Sequence, residues 1–104
     1  MNRKFIIATR RSTSAQQQAI TGHLEMKKWA WWHHFEDFWM CSSWDKSTMT
    51  SQQLYEELAN DAAIGKDLFM VVIKLQHGTE PMTYFGFGPK EGWEWAAQVW
   101  GHPG

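Results

Sequence analysis

Apolar positions follow two rhythms along this chain, and the change from one to the other marks the elements. Lys4-Phe5-Ile6-Ile7-Ala8-Thr9 is a short run rich in β-formers, apolar on both faces, and predicts a buried strand. A polar connection, Arg10 to Thr13, leads to Ser14-Ala15-Gln16-Gln17, which fits the capping-box pattern of a helix start. The helix should reach about Lys28, with Ala19, Ile20 and Leu24 on its buried side. Gly22 inside it costs about 1 kcal/mol relative to alanine. Trp29 to Ser43 returns to strand character. Its length predicts two strands joined near Glu36-Asp37, with a single bulged strand as the alternative, since no glycine or asparagine marks the turn.

Thr50-Ser51-Gln52-Gln53 is a second capping box, and the helix after it places Leu54, Tyr55, Leu58 and Ala62 on one stripe, with Gly65 as its stop. Asp67 to Gln76 contains the apolar run Leu68 to Ile73 and predicts a central strand. His77 to Pro81 is a turn. Met82 to Gly88, flanked by Pro81 and holding two glycines, suits an edge strand. Pro89 to Trp100 predicts a terminal helix with Trp93, Ala96, Ala97 and Trp100 on one face.

The first six elements read βαββαβ. This is the ferredoxin-like α+β plan: an antiparallel sheet with two helices on one face, here followed by an edge strand and a C-terminal helix in one domain, 1–104. The second face of such a sheet is left open, which gives the aromatic segment its meaning. Five of the eight tryptophans lie between Trp29 and Trp44. With strict alternation, Trp29, Trp31, His33 and Phe35 share one face and Ala30, Trp32, His34 and Glu36 the other. Helices can cover only one set. Each tryptophan offers about 150–250 Å² for burial, so the uncovered set predicts a partner, a second copy first of all. The expected interface residues are Trp29, Trp31, Trp32, His34, Trp39, Trp44, Trp93 and Trp100. The competing expectation is that the terminal helix seals the open face through Trp93 and Trp100.

Charge adds a second candidate surface. The net charge is −1, but residues 1–34 hold six Lys/Arg and one acid, while residues 35–104 hold four Lys/Arg and ten acids. Arg10, Arg11, Lys27 and Lys28 flank the first helix and could bind phosphates or an acidic partner beside a stacking tryptophan. Solvated helix-end and loop charges are the simpler account. No apolar run approaches the roughly 18 residues of a membrane span. The apolar stretch Phe5 to Ala8 is too short for a signal-peptide core, so a cytosolic protein without a membrane partner is expected.

The chemistry-bearing residues are sparse. Cys41 is the only cysteine, which excludes an internal disulfide and a thiolate cage, and it reads as a small buried residue. His33 and His34 are adjacent in a strand and so point to opposite faces; they cannot readily chelate one metal together. Either could serve as acid or base in metal-free RNA cleavage, although packing in an aromatic strand explains both. Glu36-Asp37 and Glu56-Glu57 are adjacent acids with no sign of a shared cleft. No nucleophile elbow, phosphate loop or zinc spacing occurs, and Gly86-Phe87-Gly88 is too short to cradle phosphate. No catalytic residue, metal site or cofactor is therefore expected.

The strand Phe5-Ile6-Ile7-Ala8-Thr9, the string Trp31-Trp32-His33 followed by Phe38-Trp39-Met40, and Asp67-Leu68-Phe69-Met70-Val71-Val72 together carry a resemblance. The chain resembles the small stand-alone ferredoxin-like proteins related to the CRISPR-adaptation small subunit and to virulence-associated protein D. That resemblance implies a homodimer. Nuclease members of the group carry a metal-binding aspartate at the end of the first strand. Here the position reads Ala8-Thr9-Arg10-Arg11, and two arginines repel a hard cation. The expectation is a non-catalytic interaction module, dimeric, suited to a phage or mobile-element product that inhibits a host defence protein by binding. A nucleic-acid or nucleotide binder and a metal-free ribonuclease are the alternatives.

Overall fold

The computed structural model describes residues 3–43 and 49–95. It is an α+β protein whose elements run β1 (Lys4–Thr9), α1 (Ser14–Met26), β2 (Ala30–Phe35), β3 (Phe38–Ser42), α2 (Ser51–Ala59), β4 (Met70–Lys74), β5 (Thr83–Phe87) and α3 (Lys90–Trp95). The five strands form one sheet in the order β2-β3-β1-β4-β5, and every neighbouring pair is antiparallel.

β1 lies at the centre because its neighbours need both of its edges. It pairs with β3 from Lys4↔Ser42 to Ala8↔Phe38 and with β4 from Phe5↔Lys74 to Thr9↔Met70. These registers assign the two faces. Phe5 and Ile7 of β1, Trp39 and Cys41 of β3, and Met70 and Val72 of β4 point to one face. There they meet Ile20 and Leu24 of α1 and Leu54 and Leu58 of α2 in a continuous core. Ile6 and Ala8, Phe38 and Met40, and Val71 and Ile73 point to the opposite face.

Both helices begin with a reciprocal capping box. Thr50 with Gln53 is the predicted one; at α1 the pair is Thr13 with Gln16, one residue earlier than Ser14 with Gln17. Adjacent glutamines made both registers available, and the one chosen lets Gln17 reach the Ser12 carbonyl instead. The end of α1 is a Schellman motif. The Trp29 N–H donates to the Leu24 carbonyl and the Lys28 N–H to that of Glu25, with Lys28 at φ 60°. This turn drops Trp29 onto the core, where it stacks on Phe5.

Several predicted bounds shift. Trp29 to Ser43 is two strands, and Trp29 itself precedes the first. α2 stops at Ala59, so Ala62 is exposed and off the stripe. Gly65 (φ 86°) closes the following turn, which seats Ile64 in the core. Residues 67–69 lead into β4 without belonging to it. Trp44, Ala96, Ala97 and Trp100 lie outside the described residues.

Candidate interaction surface

The face of the sheet away from α1 and α2 has two halves. Toward β5, α3 lies against it, and the Trp93 ring stacks parallel to Tyr84 at 6.2 Å. Toward β2, no described element covers the sheet. Here Trp32 pairs with Met40, and the ladder slips between Trp32 and Phe35 so that Phe35 pairs with Phe38. The slip overturns the strict alternation expected of this strand. It moves Phe35 from the face of Trp31 and His33 to that of Trp32, where its ring meets Trp32 at 5.4 Å. Trp32 also contacts His34 at 4.8 Å and Phe38 at 6.2 Å. With Met40 and Ile6 this makes a patch of aromatic and aliphatic side chains, in which Phe35 is 64% and Met40 42% exposed.

The slip follows from the turn. Glu36 and Asp37 keep negative φ, so the turn is not one of the primed types that match strand twist. It is held instead by the Asp37 carboxylate, which accepts hydrogen bonds from Thr9 Oγ1 (2.7 Å), Ser12 Oγ (2.6 Å) and the Ser12 N–H (2.9 Å). Burial works against the charge of Asp37, but the hydrogen bonds from Ser12 and Thr9 outweigh it and hold the carboxyl below its ordinary pKa. No short-range sequence signal joins Asp37 to Thr9 and Ser12, so its role was not foreseen.

The expected interface residues are scattered by these registers. Trp32, His34 and Trp93 lie on the open face. Trp31 is exposed, but it pairs with Cys41 and so belongs to the helix-covered side, at the sheet edge. Trp29 and Trp39 are core residues and cannot line an interface: Trp29 is buried, stacked on Phe5 with the Lys27 ammonium 5.3 Å from its ring centre, and Trp39 is fully buried with its indole N–H donating to Thr21. Trp44 and Trp100 lie outside the described residues. Phe35, Phe38 and Met40 join the surface instead. The alternation of Phe38 and Met40 about Trp39 was the available clue.

The basic residues form two pairs rather than one edge. Arg10 and Arg11 follow the last residue of β1, while Lys27 and Lys28 stand at the far end of α1, which 13 helical residues carry about 20 Å away. Lys27 is paired with Glu57 at 2.8 Å, and Lys28 occupies the left-handed cap position. Burial raises and the Lys27 and His23 contacts lower the Glu57 pKa, with a net downward shift. Glu56 is exposed on the same helix.

His33 and His34 face opposite sides as expected. His33 stacks on Trp39 at 4.2 Å, nearly parallel, and its Nε2 contacts the Glu36 carbonyl; His34 sits beside Trp32 on the open face. Cys41 is buried, and burial pushes its thiol up to about 12, which disfavours the thiolate that a nucleophile needs. Among the described residues no group of three His, Cys, Asp or Glu is placed to hold a metal ion, and no helix is long and apolar enough to cross a membrane. No known family model, curated protein or solved structure matches this chain.

Proposed function

We propose that this chain is a non-catalytic interaction module that forms a homodimer through the β2–β3 half of its open sheet face. The observation that carries the reading is the apolar patch Trp32, Phe35, Phe38, Met40 and Ile6, with Lys4 at its rim. Patches of this kind in folded proteins mark interaction sites, and tryptophan is among the residues that dominate binding energy. A second copy is the favoured occupant because an apolar patch is complementary to itself across a twofold axis, whereas charged patches are not. Capture of a host protein on the same surface is the related reading.

We read the fold as ferredoxin-like with one added edge strand. Its support is the order β2-β3-β1-β4 with all neighbours antiparallel, and both long helices on one face. The proposed kinship with the small stand-alone ferredoxin-like proteins rests on that plan and on the Trp31-Trp32-His33 string. The separation of Arg10 and Arg11 from Lys27 and Lys28 weakens the nucleic-acid alternative. The placement of His33 and His34 on opposite faces weakens the ribonuclease one.

Sedimentation equilibrium at micromolar concentration tests the dimer. The wild type should sediment at twice the chain mass, and Met40→Asp, an exposed substitution at the patch, should sediment as a monomer. A wild-type monomer would overturn the reading.

A further inference from the structure

The β5 half of the open face holds a cavity of about 350 Å³ between the sheet and α3. This is within the range of small-molecule sites, at its lower end. Ala8, Val71 and Ile73 form its floor on the sheet, and Trp93 of α3 closes one side. Two kinds of group line it. One is aromatic: Tyr84 and Trp93 form a parallel pair, and Phe69 and Phe87 an edge-to-face pair at 5.1 Å. The other is a single cation, Arg10, whose guanidinium lies 5.9 Å from the centre of the Phe69 ring. Among the described residues no carboxylate forms an ion pair with Arg10, and Arg10 is the only cation in the cavity lining.

We infer that this cavity binds a small planar aromatic molecule carrying one carboxylate, sulfonate or phosphate group. The ring enters between the sheet floor and Trp93, where apolar contact and stacking favour a flat body over a branched one. The anion stays at the mouth, where the Arg10 fork can bond it while the guanidinium remains on the Phe69 ring. A neutral apolar ligand would leave Arg10 unused, and a polyanion would find no second cation among the lining residues. Glycine at position 86 keeps this half of the sheet tight: a Cβ there would overlap the Met70 carbonyl, so β5 must approach β4 closely beside the cavity. The cavity shares no lining residue with the dimer patch, although the two adjoin where Ala8 pairs with Phe38 and Ile73 with Ile6.

Titration calorimetry with 2-naphthoate and its neutral isostere 2-naphthamide tests it. The acid should bind about tenfold more tightly or better, as expected for a charge-assisted hydrogen bond at a partly exposed site. Arg10→Gln, an exposed substitution, should abolish that preference. Ala8→Phe, which fills the floor, should abolish binding of both. No binding by the wild type, equal affinity for acid and amide, or unchanged binding in Ala8→Phe would each overturn the assignment. Sedimentation of each variant separates these results from any change in oligomeric state.

Discussion

Trp39 and Trp32 lie on paired strands, close in space, and the two faces of the sheet give them opposite roles. Trp39 has α1 above it, His33 stacked alongside, and Thr21 to accept its indole N–H. Trp32 has other rings around it and nothing described above it. The side chain is the same, so residue type does not decide between core and surface. What decides is strand register together with the single-sided placement of α1 and α2. A tryptophan-rich segment is therefore half a folding signal and half an interaction signal, and the pleat sorts one from the other.

The sharpest way to break this comparison is truncation on each face. Trp39→Ala empties a fully buried site and should cost about 3–5 kcal/mol, read as a shift of the urea midpoint. If Trp32→Ala cost as much under conditions where the protein is monomeric, the two faces would be energetically alike and the division would fail.

Next in size is the pin that sets the register. Asp37→Asn keeps the shape but weakens three hydrogen bonds to an anion, and should cost about 1–3 kcal/mol at neutral pH. The sign with pH follows from the lowered pKa of Asp37. A carboxyl depressed on folding adds stability above its unfolded pKa, and that stability is lost as the pH falls through the folded pKa. The gap between wild type and Asp37→Asn in urea melts should therefore close in strong acid. A gap that persists there would mean the carboxylate charge does not hold the turn.

How far these features can be read before folding depends on the range of the interactions behind them. Capping residues, the alternation around Trp39 and the apolar run Leu68 to Ile73 are local, and they give the element order and the two-strand reading of the aromatic segment. The anchoring of Asp37 by Thr9 and Ser12 joins residues more than twenty positions apart, and the slip at Phe35 lies beside the turn that it holds. Strict alternation therefore put Phe35 on the wrong face. Counting tryptophans likewise marked Trp29 as surface, because the Schellman turn that swings it onto Phe5 uses lysine in place of the usual glycine.

That lysine offers a smaller effect of opposite sign, confined to the covered face. Lys28 holds φ 60°, which costs a side-chain-bearing residue about 1–2 kcal/mol, and glycine would recover part of that against its greater freedom when unfolded. Lys28→Gly should stabilise the protein by about 0.5–1 kcal/mol. The same variant removes one of the four cations proposed for nucleic-acid contact, so an unchanged salt dependence of any RNA binding would separate the structural role from an electrostatic one.

The smallest expected effect on the fold is the most telling for the open face. Phe35 is largely exposed, so Phe35→Ser should change monomer stability by no more than about 0.5 kcal/mol. If a second copy covers the patch, association adds to the apparent stability of the wild type in proportion to the logarithm of concentration. The wild-type melting temperature should then rise with protein concentration, while that of Phe35→Ser should rise less. At the lowest concentrations the two curves should converge, since only the shared monomer remains. Curves that stay parallel across a hundredfold dilution would mean that Phe35 acts within one chain. The apolar patch would then lose its partner in a second copy, and the search for what covers it would pass to a different protein.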